Sequence, residues 1–344
     1  MLYRFVGRSG LKVSELAMGT QTFGWGADEK TAHAMADQFV EAGGNLFDTS
    51  STYNSGVSES TLGTWLRSRK NRDSVVVATK VFFATGTGPN DLGLSRKHII
   101  QTAEESLRRL QIDYIDLYQA HCYDLSTPLE ETLSAFDDLV RAGKVRYLGV
   151  SNFTASQLMK ALDMSRSCGR SPLVSLQAEY SLLVRETEWE LLPLCREEGI
   201  GLLAWSPLAG GWLSGKYTRS GRADPASRVG RGDRWDDQPE QRETELTWRV
   251  VETLTEIAKK RGKTPAQVAL NYLLRSSEIV VPIFGARTPD QLAQNLGSVG
   301  WELEPEEVAA LSAASAIPLP YPYRFIDRYS RKRPHSYPAT TSRT

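Results

Sequence analysis

The chain has 344 residues, with 41 basic side chains against 41 acidic ones and a hydrophobic fraction of 40%. That fraction supplies a sizeable core and excludes wholesale disorder, and the balanced charge leaves no surplus of cations for a nucleic-acid backbone. Apolar stretches too short for a membrane span, an N-terminus without signal-peptide features and three scattered cysteines (Cys122, Cys168 and Cys195) read as a reduced, cytoplasmic protein.

Taken in order, residues 3–13 carry Gly7 and Gly10 between apolar pairs and read as a small hairpin. From there one pattern repeats: a short apolar, β-rich run, a loop, then an amphipathic stretch. The runs fall at 16–20, 45–50, 75–80, 115–121, 145–152, 175–181, 200–207 and 280–286. They are near-continuously apolar, as strands buried on both faces should be. Helical stretches lie at 28–42, 57–69, 95–110, 128–142, 154–168, 187–198, a longer 241–277 and about 289–297. Ser95 stands at one N-terminus, and Thr127-Pro128 with Glu130 and Glu131 puts proline and acids into the first turn of another.

Eight alternations of this kind predict a (β/α)8 TIM barrel, with the hairpin closing its bottom. A doubly wound dinucleotide-binding sheet needs GxGxxG at its first strand–helix turn, which Gly19-Thr-Gln-Thr-Phe-Gly-Trp-Gly does not supply. Residues 1–317 thus read as a single barrel with a long polar loop at 209–240. Residues 318–344 form a Pro/Tyr/Arg-rich tail, expected to dock over its own barrel mouth or on a neighbouring subunit of a homo-oligomer.

In such a barrel the chemistry emerges at the carboxyl ends of the strands. Here those ends carry Asp48, Lys80, His121, Ser151-Asn152, Gln177, Trp205-Ser206 and Gly285, with Tyr53 five residues beyond Asp48. Each alone also fits a humbler role: Asp48 as a helix cap, Lys80 where a strand meets water, His121 as a core residue. The four histidines show no metal-ligand spacing, and no GxSxG elbow is present. Cys122 adjoins His121, but neighbours on a strand point to opposite faces, so the two do not form a nucleophile–base pair. What remains suits proton donation to a carbonyl oxygen. A tyrosine hydroxyl donates, a lysine cation makes it more acidic, a carboxylate orients the lysine and a histidine holds the carbonyl.

These residues and the motifs around them resemble the aldo-keto reductases. The motifs are Arg8-Ser-Gly-Leu-Lys-Val-Ser, Asn45-Leu-Phe-Asp-Thr with Tyr53, Thr79-Lys80, Gly93-Leu-Ser-Arg-Lys-His-Ile-Ile, Gln177-Ala-Glu-Tyr, Trp205-Ser-Pro-Leu-Ala, Ser214-Gly-Lys-Tyr and Gly285-Ala-Arg with Gln291 and Asn295. The resemblance is greatest to the branch that holds the β subunits of voltage-gated potassium channels and their bacterial relatives. It implies a barrel that binds NADP(H) and uses Asp48, Tyr53, Lys80 and His121 as a metal-independent catalytic tetrad. It further implies that Gly19, Thr20 and Asp48 border the cofactor, that Ser151, Asn152 and Gln177 hold the nicotinamide carboxamide, and that Trp205 stacks on the ring. Ser206, Pro207, Leu208, Ala209, Gly210 and Lys216 fall where the family binds pyrophosphate. Gly285, Arg287, Gln291, Gln294 and Asn295 match its adenosine end, with Arg228 folding over it.

Two departures separate this chain from the channel subunits. His121 stands where they have an amide, and Asn152 follows Ser151 where they have arginine. The tail also has no counterpart there, so a channel partner is not expected. The implied reaction is NADPH-dependent reduction of an aldehyde or ketone. The alternatives are alcohol oxidation at the same site, or an NADPH-binding accessory subunit with vestigial catalysis. Phe23, Trp25, Phe82, Phe83 and Tyr123 fall just beyond strand ends and are expected to wall a substrate pocket, or else to pack as ordinary loop residues.

Overall fold

A computed structural model of the chain describes residues 1–217, 219 and 242–330. Strands β1 (Tyr3–Phe5) and β2 (Lys12–Ser14) pair antiparallel. The next eight are β3 (Ala17–Gly19), β4 (Leu46–Asp48), β5 (Val76–Val81), β6 (Ile115–Ala120), β7 (Val145–Ser151), β8 (Leu173–Glu179), β9 (Gly201–Trp205) and β10 (Val280–Phe284). They pair in parallel, each with its sequence neighbour, and β10 closes on β3. All eight predicted runs are therefore strands of one barrel.

The barrel interior is filled by Ala17, Leu46, Val76, Ala78, Leu117, Val174, Leu203, Val281 and Ile283. Val6 and Val13 of the hairpin join this cluster and are almost fully buried, and Arg8 N–H donates to Gly199 O at 2.8 Å. The hairpin thus plugs the end of the barrel opposite the carboxyl ends of the strands, as predicted.

The surrounding helices are α1 (Glu29–Glu41), α2 (Val57–Arg69), α3 (Arg96–Leu110), α4 (Leu129–Arg141), α5 (Ala155–Ser167), α6 (Leu191–Glu198), α7 (Glu245–Arg261), α8 (Pro265–Ser276), α9 (Pro289–Leu296) and α10 (Pro305–Ala314). Ser95 caps α3 by accepting from His98 N–H, and Thr154 with Gln157 forms a capping box on α5. Apolar faces bury against the barrel wall, as where Phe39, Phe47 and Trp65 meet ring to ring. Such pairs contribute about 0.5–1.5 kcal/mol beyond their buried area.

Three local expectations need correction. The region 241–277 is two helices: Gly262 ends α7 in a left-handed conformation, and Thr264 with Pro265 starts α8 afresh. Pro128 is the N-cap of α4 and not part of its first turn, where Glu130 and Glu131 do fall. The sequence reading also left out α10, whose start is marked by Glu304, Pro305 and Glu307 in a capping box.

The tail opens with α11 (Tyr323–Ser330), which rests on its own barrel through Tyr323, stacked on Trp189 at 5.8 Å between ring centroids. Residues 331–344 lie outside the described residues. Among the described residues no helix is long and apolar enough to cross a membrane.

Candidate active site

Asp48 ends β4, Lys80 lies on β5, His121 follows β6, and Tyr53 comes in on the segment between β4 and α2. Adjacent parallel strands therefore set three of the four side chains side by side. Lys80 does not meet water at its strand end: it is fully buried, and Asp48 is 2% exposed. The Lys80 ammonium donates to Asp48 Oδ2 at 2.6 Å, to Thr49 O at 2.8 Å and to Tyr53 Oη at 3.1 Å. An ammonium has three hydrogens, and three acceptors surround it. Since Tyr53 Oη accepts from Lys80, its own hydrogen is left to point elsewhere. Gln177 Nε2 donates to Asp48 Oδ1 at 2.9 Å, so both carboxylate oxygens are engaged.

The charges follow from this geometry. Burial alone would lower the Lys80 pKa, but Asp48 and Tyr53 together outweigh it and hold the lysine above its ordinary value, so it stays a cation. Burial pushes the Tyr53 phenol up, and Lys80 only partly offsets this. The lysine therefore acts in the predicted direction without making the resting phenol acidic, and Tyr53 keeps its proton through neutral pH. His121 is pushed well below its ordinary value, first by burial and then by the Lys80 cation, and is neutral.

Tyr53 is presented by an unusual turn. Asn54 and Ser55 adopt left-handed conformations (φ 49° and 54°), and Gly56 follows at φ 86°. A Cβ on Gly56 would meet Arg109 Cδ at 2.9 Å. Arg109 is held by Glu59, whose Oε2 accepts from Nε at 2.7 Å and whose Oε1 accepts from Thr79 Oγ1 at 2.6 Å. This clamp ties α3, α2 and β5 together, with Thr79 next to Lys80 on its strand.

Asp48, Tyr53 and His121 line a cavity of about 640 Å³ at the carboxyl ends of the strands. Its lining also includes Trp25, Phe83, Trp205, Arg287, Gln291 and Asn295. Trp205 Nε1 donates to Asn152 Oδ1 at 3.1 Å, and Asn152 Nδ2 donates to His121 O at 2.9 Å, so one amide braces the indole against the end of β6. Asn152 adopts φ 56°, a left-handed conformation that asparagine tolerates better than most residues. Lys216 and the N-terminus of α8, through Thr264 and Pro265, line the cavity together. A cation and a helix N-terminus at one place favour an anion.

The sequence matches the model of the aldo/keto reductase family over residues 15–316. The chain belongs to this family. Relatives of this aldo/keto reductase include an uncharacterized oxidoreductase, YrpG, from Bacillus subtilis, 39% identical over 91% of this chain and 95% of that protein. The norsolorinic acid reductase stcV of Emericella nidulans is 34% identical over 92% of this chain and 82% of its own length. A norsolorinic acid reductase of Aspergillus flavus is 32% identical over the same shares. The chain is thus similar to oxidoreductases, in a family that generally uses a nicotinamide cofactor.

Most residues singled out in the sequence of this reductase do meet in the one cavity. Gly19, Ser151, Gln177, Ser206, Pro207, Leu208, Gly210, Gly285 and Gln294 line it with those already named. Thr20 and Ala209 do not. The Thr20 hydroxyl turns to Asp48 O and Ser58, and Ala209 is fully buried in the wall. Among the aromatic candidates, Trp25 and Phe83 face the cavity, whereas Phe23 is core, Phe82 packs behind Phe83, and Tyr123 packs on Phe153. Arg228 lies outside the described residues. The lining also includes Ser214 of the Ser214-Gly-Lys-Tyr motif, and Gln21 and Ala266, which the sequence reading passed over. Only the strong cap Thr264-Pro265 signalled in advance that a helix would start near Ala266.

Proposed function

We propose that this aldo/keto reductase reduces an aldehyde or ketone to the alcohol with NADPH. The observation that carries the reading is the three-acceptor shell of Lys80, which makes Tyr53 Oη an acceptor toward the lysine and a donor toward the cavity. The residues present suit the cofactor. Lys216 and the α8 N-terminus would take the pyrophosphate, and Arg287 with the α9 residues Gln291, Gln294 and Asn295 would take the adenosine end. Ser151, Gln177 and Asn152 would hold the carboxamide beside Trp205. When bound, the reduced nicotinamide supplies the hydride that becomes the carbon-bound hydrogen of the alcohol.

The protein's own residues do the rest. His121 hydrogen-bonds the carbonyl oxygen and places it near Tyr53. Tyr53 gives its proton to that oxygen as negative charge develops there. Lys80 stabilises the resulting phenolate at 3.1 Å, and Asp48 keeps the ammonium in place. Trp25 and Phe83 flank the site with flat apolar surface, which suits a carbonyl compound with an aromatic or sugar face. No metal enters this scheme.

Turnover of 4-nitrobenzaldehyde with NADPH, set against Tyr53→Phe, tests the reading. The wild type is expected to consume NADPH and the variant to lose most of that rate. Binding of NADPH without turnover would point instead to a nucleotide-binding subunit.

A further inference from the structure

Ser50 lies between Asp48 and Tyr53, is fully buried, and places Oγ 3.1 Å from His121 Nδ1. It joins the segment that carries the proton donor to the residue that would hold the carbonyl, 71 positions later in the chain. A neutral imidazole carries a single proton, so one ring nitrogen donates and the other accepts, and the neighbour of Nδ1 decides which.

The surroundings of Ser50 settle its orientation. Thr52 N–H donates to Ser50 Oγ at 3.4 Å, which fills an acceptor site on the hydroxyl. The acceptors within reach of the hydroxyl hydrogen are Thr52 Oγ1 at 3.4 Å and His121 Nδ1 at 3.1 Å, and the imidazole nitrogen is both nearer and the stronger base. The ring is packed on two sides. It packs edge-on against Phe83 at 4.7 Å and Tyr53 at 5.9 Å between centroids.

We propose that Ser50 is a positioning residue that donates to His121 Nδ1 and so fixes the imidazole as its Nε2–H tautomer. Nδ1 is then an acceptor held by the protein, and Nε2–H is the donor left for the cavity that His121 lines. The opposite tautomer would turn a lone pair on Nε2 toward the carbonyl oxygen and repel it. The tautomer itself follows from the geometry; its use in holding a carbonyl rests on the reductase reading above.

The test is a long-range proton–nitrogen NMR correlation on protein labelled with 15N-histidine at neutral pH. The chain has only four histidines, and the His121 signals are assigned by their loss in His121→Asn. The wild type should show Nε2 protonated and Nδ1 with the shift of an unprotonated, hydrogen-bonded nitrogen. Ser50→Ala should move His121 toward a mixture of tautomers while the other histidine signals stay in place. In the same variant kcat/KM for the aldehyde should fall about tenfold, the effect of one ordinary hydrogen bond, with NADPH binding unchanged. A wild-type His121 protonated on Nδ1, or a Ser50→Ala spectrum identical to wild type, overturns the assignment. A tautomer that responds to Ser50→Ala in a protein that turns over no carbonyl compound supports the assignment and defeats the reductase reading alone.

Discussion

The aliphatic stem of Arg287 lies against Gly26, so closely that a Cβ on the glycine would come within 2.8 Å of Arg287 Cδ. The contact holds the arginine along the cavity wall, between the end of β10 and the loop that carries Trp25. Arg287 N–H is taken by Gln291 Oε1 at 3.0 Å, which anchors the same residue to the first turn of α9.

A guanidinium held in this way can make paired hydrogen bonds to a phosphate. Arg287→Ala should weaken NADPH binding by about tenfold or more, since hydrogen bonds to charged groups contribute roughly 1.5–3 kcal/mol. NADH, which lacks the 2′-phosphate, should be almost unaffected. Fluorescence titration with both cofactors checks this, and equal weakening of the two would remove Arg287 as the phosphate ligand.

Lys80→Met keeps the side chain's length and removes its charge. NADPH affinity should stay close to wild type while kcat falls by orders of magnitude, because the cation acts on the phenolate that forms in the transition state. Single-turnover rates beside equilibrium binding separate the two effects. An unchanged kcat would sink the proton-transfer assignment.

Gly56→Ala combines a left-handed backbone with a clash against Arg109. The turn must shift, and Tyr53 shifts with it. A displacement on the order of 1 Å at a reacting group can cost ~10²-fold in rate, so kcat should drop steeply while far-UV circular dichroism stays native. Removing the clamp itself is a different experiment. Arg109→Ala leaves the Glu59 carboxylate fully buried with, among the described residues, the Thr79 hydroxyl as its hydrogen-bond partner, and should cost about 3 kcal/mol in urea unfolding.

Acid should destabilise the protein before its carboxylates titrate. His121 and His98 both sit below the ordinary histidine value of 6.5, chiefly through burial. Between that value and their depressed folded values, the unfolded chain binds protons that the folded protein does not. Stability is therefore full above about pH 6.5 and falls as the pH drops through this window. His121 contributes a slope of up to about 1.4 kcal/mol per pH unit. Urea unfolding at a series of pH values should show this decline, and His121→Asn should flatten it. A variant with the same slope as wild type would mean that His121 ionises freely in the folded state.

Much of the site was legible in the sequence because a barrel gathers strand ends. Once eight apolar runs were counted, Asp48, Lys80, His121, Gln177 and Trp205 were bound to share one rim, whatever the details of packing. Phe82, Phe83 and Tyr123 show where that logic stops. Beyond a strand end the alternation of faces lapses, and loop packing decides that Phe83 faces the cavity while Phe82 and Tyr123 turn to the core. Arg109 gave no signal either. It reads as one more basic residue on an amphipathic helix, and only the close approach of α3 to the Gly56 turn gives it a role.

The sequence by itself thus determined the fold class, the order of the eight barrel strands and the rim on which the chemistry stands, because hydrophobic periodicity and capping are local and survive without coordinates. The tertiary structure alone decided which of those residues touch and in what state of charge. The Lys80 shell, the bracing of Trp205 by Asn152 and the bond from Ser50 to His121 join residues far apart in the chain. Their protonation depends on burial, which exists only once the barrel has closed around them.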